Sequence, residues 1–315
     1  MTLHFLVRYP PESENRSKVV KGKPSITAIT AARFRAAHLL IDGQPKIFSD
    51  EFALRFSGAD SETSFLNSLN AMMAEVSAKV GPEIAQMVFR APRAAMVMRS
   101  RYAEDALSEA ITRGIRRYVI LGAGLDSFAW RRRDLEPTMQ VFEIDHAATQ
   151  EWKQQRLREI GIDPPGNLVF LPIDFERQTL IDGLRLGGYP LQEPAFISWL
   201  GVTQYLPKES VLSTLGQVRT LAPGTELTFT FLVPQDLWID EERRSFPIAA
   251  ASTAASGEPW ISFFQPAEIA AQMRELGFTQ VLHFSPEDAN RRYFAGRSDG
   301  LRVTSAEHLM RARVG

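Results

Sequence analysis

Hydrophobic residues recur at helical spacing through the first third of the chain. In SITAITAARFRAAHLLIDG, residues 25–43, Ile26, Ile29, Ala32, Phe34, Ala36, Ala37 and Leu40 fall near one stripe, and Asp42-Gly43 ends the run. The same pattern returns over 50–56 and 64–79. A long stretch from Pro82 to about Arg113 keeps it through Ile84, Met87, Val88, Ala91, Ala95, Met98, Tyr102 and Ala106. Pro82 suits a first helical turn, whereas Pro92 is expected to kink or divide the helix beyond it. No strand is predicted before residue 115. The period then changes to short β-branched or aromatic runs at 117–121 (RYVIL), 140–144 (QVFEI), 168–173 (LVFLPI), 195–200 (AFISWL) and 226–233 (ELTFTFLV). Helical stretches separate them near 125–132, 146–160, 176–186 and 207–221. Such alternation predicts an α/β fold: a mostly parallel sheet with helices on both faces. Residues 234–265 read as an irregular, lid-like insertion. A helix at 266–276 and two last strands, near 280–284 and 291–295, bring the sheet to seven strands. The expected organisation is a basic, mobile lead-in at 1–24, a helical N-terminal cap at 25–115, and a binding domain at 116–315.

Composition narrows the chemistry. The 315 residues carry 36 Lys and Arg against 37 Asp and Glu, a net charge of −1, which argues against a dedicated nucleic-acid binder. The absence of cysteine removes disulfides, thiolate metal sites and a cysteine nucleophile. Five histidines are scattered without a paired spacing, so no metal is expected. No apolar run approaches a membrane span, and the first residues lack a signal-peptide pattern, which gives a cytoplasmic reading. Oligomeric state is not legible.

Two local signals suggest a ligand site. The first strand runs into Gly122-Ala123-Gly124, a turn that lets a ligand approach the backbone, with a helix expected directly after it. Ser127 stands where a dinucleotide fingerprint needs a third glycine, which disfavours a nicotinamide oxidoreductase, the alternative enzyme class. The second strand ends in Glu143-Ile144-Asp145; the two acids share a side of the strand, and Asp145 lies closer to the loop, where it suits ribose hydroxyls or a helix cap. Asp174 and Phe175 end the third strand and suit an adenine, although Asp174 could equally cap the next helix. A nucleoside site without a phosphate clamp fits S-adenosylmethionine. Its carboxylate needs a cation, for which Arg99 and Arg101 are candidates. Residues 90–133 hold ten arginines against four acids, an expected positive patch at that end.

The segments TAITAARFRAAH, MRSRYAEDAL, VILGAGLDSFAWR, VFEIDHAATQEWKQQRL, LPIDFE and SWLGVTQYL extend this picture. Through them, from about Ser25 to Ala295, the sequence resembles the leucine carboxyl methyltransferase-like branch of the class I S-adenosylmethionine-dependent methyltransferases, in particular a bacterial group. The resemblance implies a Rossmann-like methyltransferase fold with S-adenosylmethionine as cofactor. It places Arg99 on the methionine carboxylate, Gly122, Ala123 and Gly124 against the cofactor, Asp145 at the ribose, and Asp174 with Phe175 at the adenine; Glu143, on the same side of the strand as Asp145, is a further cofactor-binding candidate. The family generally carries a glutamate at the end of strand four, where this chain has Leu200. Either the backbone there suffices, or the substrate end is arranged differently. The implied activity is O-methylation of a carboxylate or hydroxyl on a small molecule or exposed chain end. Tyr205 and Gln204 stand where acceptor residues commonly lie. A non-catalytic cofactor-binding protein is the other reading, kept open by Leu200.

Overall fold

Four helices account for the helical period of the first third. The computed structural model describes residues 25–173, 178–255 and 257–315. Within them α1 (Ile26–Ile41), α2 (Ala53–Phe56), α3 (Glu62–Val80) and α4 (Pro82–Thr112) precede the first strand. Ser25 caps α1 by accepting the Ala28 N–H, one of the donors that a helix start leaves open. The expected lead-in at 1–24, and Asp174 with Phe175, lie outside the described residues.

Pro92 does not divide the long helix: α4 runs through it as one element. Tertiary contacts hold both sides of the proline. Arg93, one residue on, grips the Asp42 carboxylate with Nε at 2.8 Å and Nη2 at 2.9 Å, and its Nη1 donates to the Phe89 carbonyl at 3.1 Å. Buried Ala85 and Phe89 before Pro92, and Ala94, Val97 and Met98 after it, add packing that local propensity does not register.

Among the described residues seven strands form one sheet: β1 (Arg117–Leu121), β2 (Gln140–Asp145), β3 (Leu168–Pro172), β4 (Phe196–Trp199), β5 (Glu226–Leu232), β6 (Phe278–Phe284) and β7 (Glu307–Val314). Their order is β3-β2-β1-β4-β5-β7-β6, parallel from β3 through β5, with β7 antiparallel to both neighbours. Helices α5 (Phe128–Arg131), α6 (Ala147–Glu159), α7 (Leu180–Leu186), α8 (Lys208–Arg219), α9 (Asp240–Ala255), α10 (Pro266–Glu275) and α11 (Pro286–Ala289) complete the chain. Alternation sends Val119 and Leu121 to one face, where they join Phe142, Ile197 and Phe229 under Leu184 of α7, Leu215 of α8 and Met273 of α10. Tyr118 and Ile120 face the other way and pack with Ala106, Leu107 and Ala110 of α4 and Phe128 of α5. Helices therefore cover both faces.

Two sequence expectations are corrected here. Residues 291–295 are not a strand; Asn290–Phe294 forms a π-helical turn, because a capping box at Ser285 and Asp288 with Pro286 in the first turn starts a helix just before it. The last strand is instead β7, which slots between β5 and β6. The segment 234–265 is likewise not irregular throughout, since its alanine-rich middle forms α9, running through Pro247 and lying against α4. No helix among the described residues is long and apolar enough to cross a membrane.

Candidate active site

The chain turns from one side of the sheet to the other between β1 and β4, which opens a crevice at the carboxyl ends of these strands. The turn after β1 forms its floor. Gly122 has φ +65°, and a side-chain carbon there would collide with Val202 after β4. Glycine thus satisfies both the left-handed backbone and the close approach. Asp145, at the tip of β2, holds this turn with both oxygens: Oδ2 accepts the Gly124 N–H at 2.6 Å and Oδ1 the His146 N–H at 2.7 Å. Burial pushes its carboxyl above the ordinary value, and the two N–H groups oppose that shift.

Glu143 points to the same side of β2 but sits one layer deeper, fully buried and away from the cavity. Lys153 of α6 donates to its Oε2 at 2.6 Å and to the Asp126 carbonyl at 2.7 Å, with the Trp130 ring 4.8 Å from the ammonium. Burial pushes the Glu143 carboxyl up to about 7, and Lys153 counteracts it. The expected cofactor contact is therefore corrected: Glu143 supports the loop from below. The helix after the turn also differs from expectation. It has only four residues, and Asp126 Oδ1 already accepts the Phe128 N–H at 2.7 Å.

Arg99 reaches the crevice from α4. Its guanidinium lies over Gly201, just after β4, where φ is +70° and a side-chain carbon would strike it. Nη1 donates to Glu307 Oε2 on β7 at 3.0 Å. Arg101 does not line the cavity; it pairs with Asp105 at 2.8 Å. The expected positive patch is largely neutralised, because eight of the ten arginines between 90 and 133 form ion pairs with acids.

These groups share one cavity of about 450 Å³, lined by Arg99, Gly122, Ala123, Gly124, Asp145 and Leu200, and also by Gln204 and Tyr205 in the turn Thr203–Tyr205. Sequence reasoning missed Glu242, Glu258 and Glu307, which also line it. Two buried polar atoms of the lining have no partner, Gln204 Oε1 and Glu307 Oε1, while Trp260 is hydrogen-bonded to Tyr205. Where helices rather than strand ends line the cavity, they give it an apolar wall, here termed its arm: Phe34 of α1, Met72 and Val76 of α3, Val88 and Met96 of α4, and Ile248 of α9.

A model of the leucine carboxyl methyltransferase family matches residues 28–219. The Bacillus subtilis protein YktD, named as a candidate S-adenosyl-L-methionine-dependent methyltransferase, is 31% identical over 305 residues, covering 93% of this chain and 98% of its own. A Mycobacterium marinum protein named in the same way is 30% identical over 253 residues, 78% of this chain and 77% of its own. Solved structures show the same fold. A DUF574-family protein from Streptomyces avermitilis gives a TM-score of 0.55 at 15% identity, covering 84% of this chain and 95% of its own. A candidate methyltransferase from Thermobifida fusca gives 0.50 at 19% identity, over 83% and 92%. The alternating strands, the glycine turn held by Asp145 and these likenesses converge: the chain belongs to the leucine carboxyl methyltransferase family, as an S-adenosylmethionine-dependent methyltransferase of Rossmann-like fold.

Proposed function

We propose that the chain moves a methyl group from S-adenosylmethionine to an oxygen, carboxylate or hydroxyl, of a small molecule held in this cavity. The observation that carries the reading is the division of the cavity, with charged and polar groups at the strand ends and the apolar arm along the helices. The residues at the strand ends suit the cofactor. Asp145 retains acceptor capacity beyond the Gly124 and His146 bonds, as two ribose hydroxyls require. Arg99 retains donors beyond its Glu307 bond, as the methionine carboxylate requires. The two unpartnered buried oxygens, on Gln204 and Glu307, favour a polar ligand in their midst. Asp174 and Phe175 remain the proposed adenine contacts.

Bound S-adenosylmethionine supplies a methyl carbon on a positively charged sulfur. The chain contributes alignment and dryness. Gly122 and Gly124 let the ligand approach the backbone, while Arg99 and Asp145 fix its two ends, which holds it in one orientation. The helices at 25–115 serve as a cap and 234–265 as a lid. They meet where Ser25 Oγ donates to Glu258 Oε1 at 2.9 Å and the Thr27 N–H to Oε2 at 3.3 Å. Closure there would exclude water from the reacting oxygen. Tyr205 and Gln204 line the acceptor side.

The test is to incubate the protein with methyl-labelled S-adenosylmethionine and a small-molecule extract, and to locate the label by mass spectrometry and NMR. A methyl ester or methyl ether is expected. A label bonded to carbon or nitrogen would overturn the reading.

A further inference from the structure

We propose that the methyl acceptor is an uncharged, largely apolar molecule carrying a hydroxyl, and that Glu307 takes the proton of that hydroxyl. This rests on the oxygen-directed reading above and narrows it.

Charge around the cavity argues against an anionic acceptor. Three carboxylates beyond those at the glycine turn line it: Glu242 of α9, Glu307 of β7, and Glu258, which meets the start of α1. The arginines of the lining are committed. Arg35 donates to Asp50 at 2.7 Å and to the Leu125 carbonyl at 2.6 Å, and Arg99 gives Nη1 to Glu307 and its remaining donors to the cofactor carboxylate proposed above. A carboxylate entering the arm would face like charges without a spare arginine among the described lining residues. A neutral molecule meets no such barrier, and the arm's methionine, valine and phenylalanine walls suit its body.

Position assigns Glu307 to the acceptor rather than the cofactor. Asp145 ends β2 and Glu307 begins β7, four strand steps apart in the sheet, or roughly 19 Å at the usual strand spacing. Arg99 stands between them, over Gly201 at the end of β4. A cofactor spanning from Asp145 to Arg99 therefore leaves Glu307 on its far side. Oε2 of Glu307 holds Arg99, and Oε1 is buried without a partner. The charged groups facing this carboxylate are Arg99 of α4 and Glu242 of α9; its neighbour in register on β5 is Leu232.

The chemistry balances. The hydroxyl proton passes to Glu307 Oε1 as an oxygen lone pair forms the O–CH3 bond. The carbon–sulfur pair returns to sulfur, leaving S-adenosylhomocysteine and a neutral Glu307 carboxyl. Burial raises the Glu307 carboxyl above its ordinary value, opposed by Arg99, which makes it a better base. Burial moves the Tyr205 phenol upward too, away from a form able to accept a proton.

Two probes with the same ring system, 2-naphthol and 2-naphthoate, test this against wild type and Glu307→Gln. Calorimetry with S-adenosylhomocysteine present should show 2-naphthol bound at least about 10-fold more tightly than 2-naphthoate by wild type, with the gap narrowed in the variant. Methyl transfer to 2-naphthol should fall about 100-fold in the variant, with S-adenosylhomocysteine still bound. Should the variant not fold, Glu307→Asp keeps the charge: discrimination against 2-naphthoate should persist while transfer falls. Preference for 2-naphthoate, binding of neither probe, or undiminished transfer would each overturn the proposal. Loss of S-adenosylhomocysteine binding in the variant would also overturn it, by assigning Glu307 to the cofactor. Failure of wild type to bind S-adenosylhomocysteine would instead sink the underlying site reading.

Discussion

Lys153 and Glu143 form an ion pair directly beneath the glycine turn, 2.6 Å apart, with both side chains almost wholly buried. Because Lys153 also donates to the Asp126 carbonyl, one ammonium joins β2, α6 and the loop that lines the cavity. Lys153→Met strands a buried carboxylate and is expected to cost about 3–5 kcal/mol in urea unfolding. Adding Glu143→Leu should recover most of that loss, since the uncompensated charge is its source.

Asp145 makes a different kind of bond to the same loop. Asp145→Ala is expected to weaken S-adenosylmethionine binding by about 1–3 kcal/mol, the usual cost of leaving polar groups unpaired. Calorimetry reads this directly, and wild-type affinity in the variant would refute the ribose assignment.

Gly201→Ala probes Arg99 without altering any charge. The new methyl would strike the guanidinium and force a side chain onto a φ of +70°. We expect a stability loss of about 1–2 kcal/mol from the backbone, together with weaker cofactor binding as Arg99 is displaced. Unchanged affinity in a correctly folded variant would show that Arg99 does not hold the methionine carboxylate.

Glu258 joins the start of α1 to the segment after α9. Glu258→Ala should speed proteolytic cleavage within 234–265, and added S-adenosylmethionine should slow cleavage of wild type. Cleavage indifferent to both would count against a lid.

Away from the site, His283 and His308 stack with Nε2 and Nδ1 2.7 Å apart. Burial, reinforced by His283, pushes His308 down to about 4. Its folded value is then below its unfolded value of about 6.5, so the unfolded chain binds the extra proton between them. The resulting stability is fully present above about pH 6.5 and declines as pH falls toward 4. His308→Asn should flatten that part of the stability curve, measured by urea midpoints across the window.

The first five strands and most helices were legible because each has its own local mark: β-branched runs, bounding glycines, or apolar residues at helical spacing. β7 had no such mark. Arg311 and Arg313 interleave with its apolar positions, and Arg311 makes sense only beside Glu109 and Glu226, distant in sequence. Pro247 disguised α9 in the same way. At the site, Asp145 and Gly122 were readable because strand tip and turn are local features. Alternation gave the correct face for Glu143 but carried no information on depth. Glu242, Glu258 and Glu307 escaped because only tertiary pairing gathers them, and the arginine-rich stretch misled because its counter-charges come largely from elsewhere.

The placement of β7 bears on how the enzyme matures. It follows β6 in the sequence, yet it fills the slot between β5 and β6. On the ribosome, the turn, Asp145 and Arg99 are all present while β5 still has a bare edge, which is prone to pairing with another chain. Glu307 opens this seventh strand. A growing chain therefore carries the glycine turn, Asp145 and Arg99 before Glu307 can join them, and the edge of β5 needs shielding until β7 has emerged.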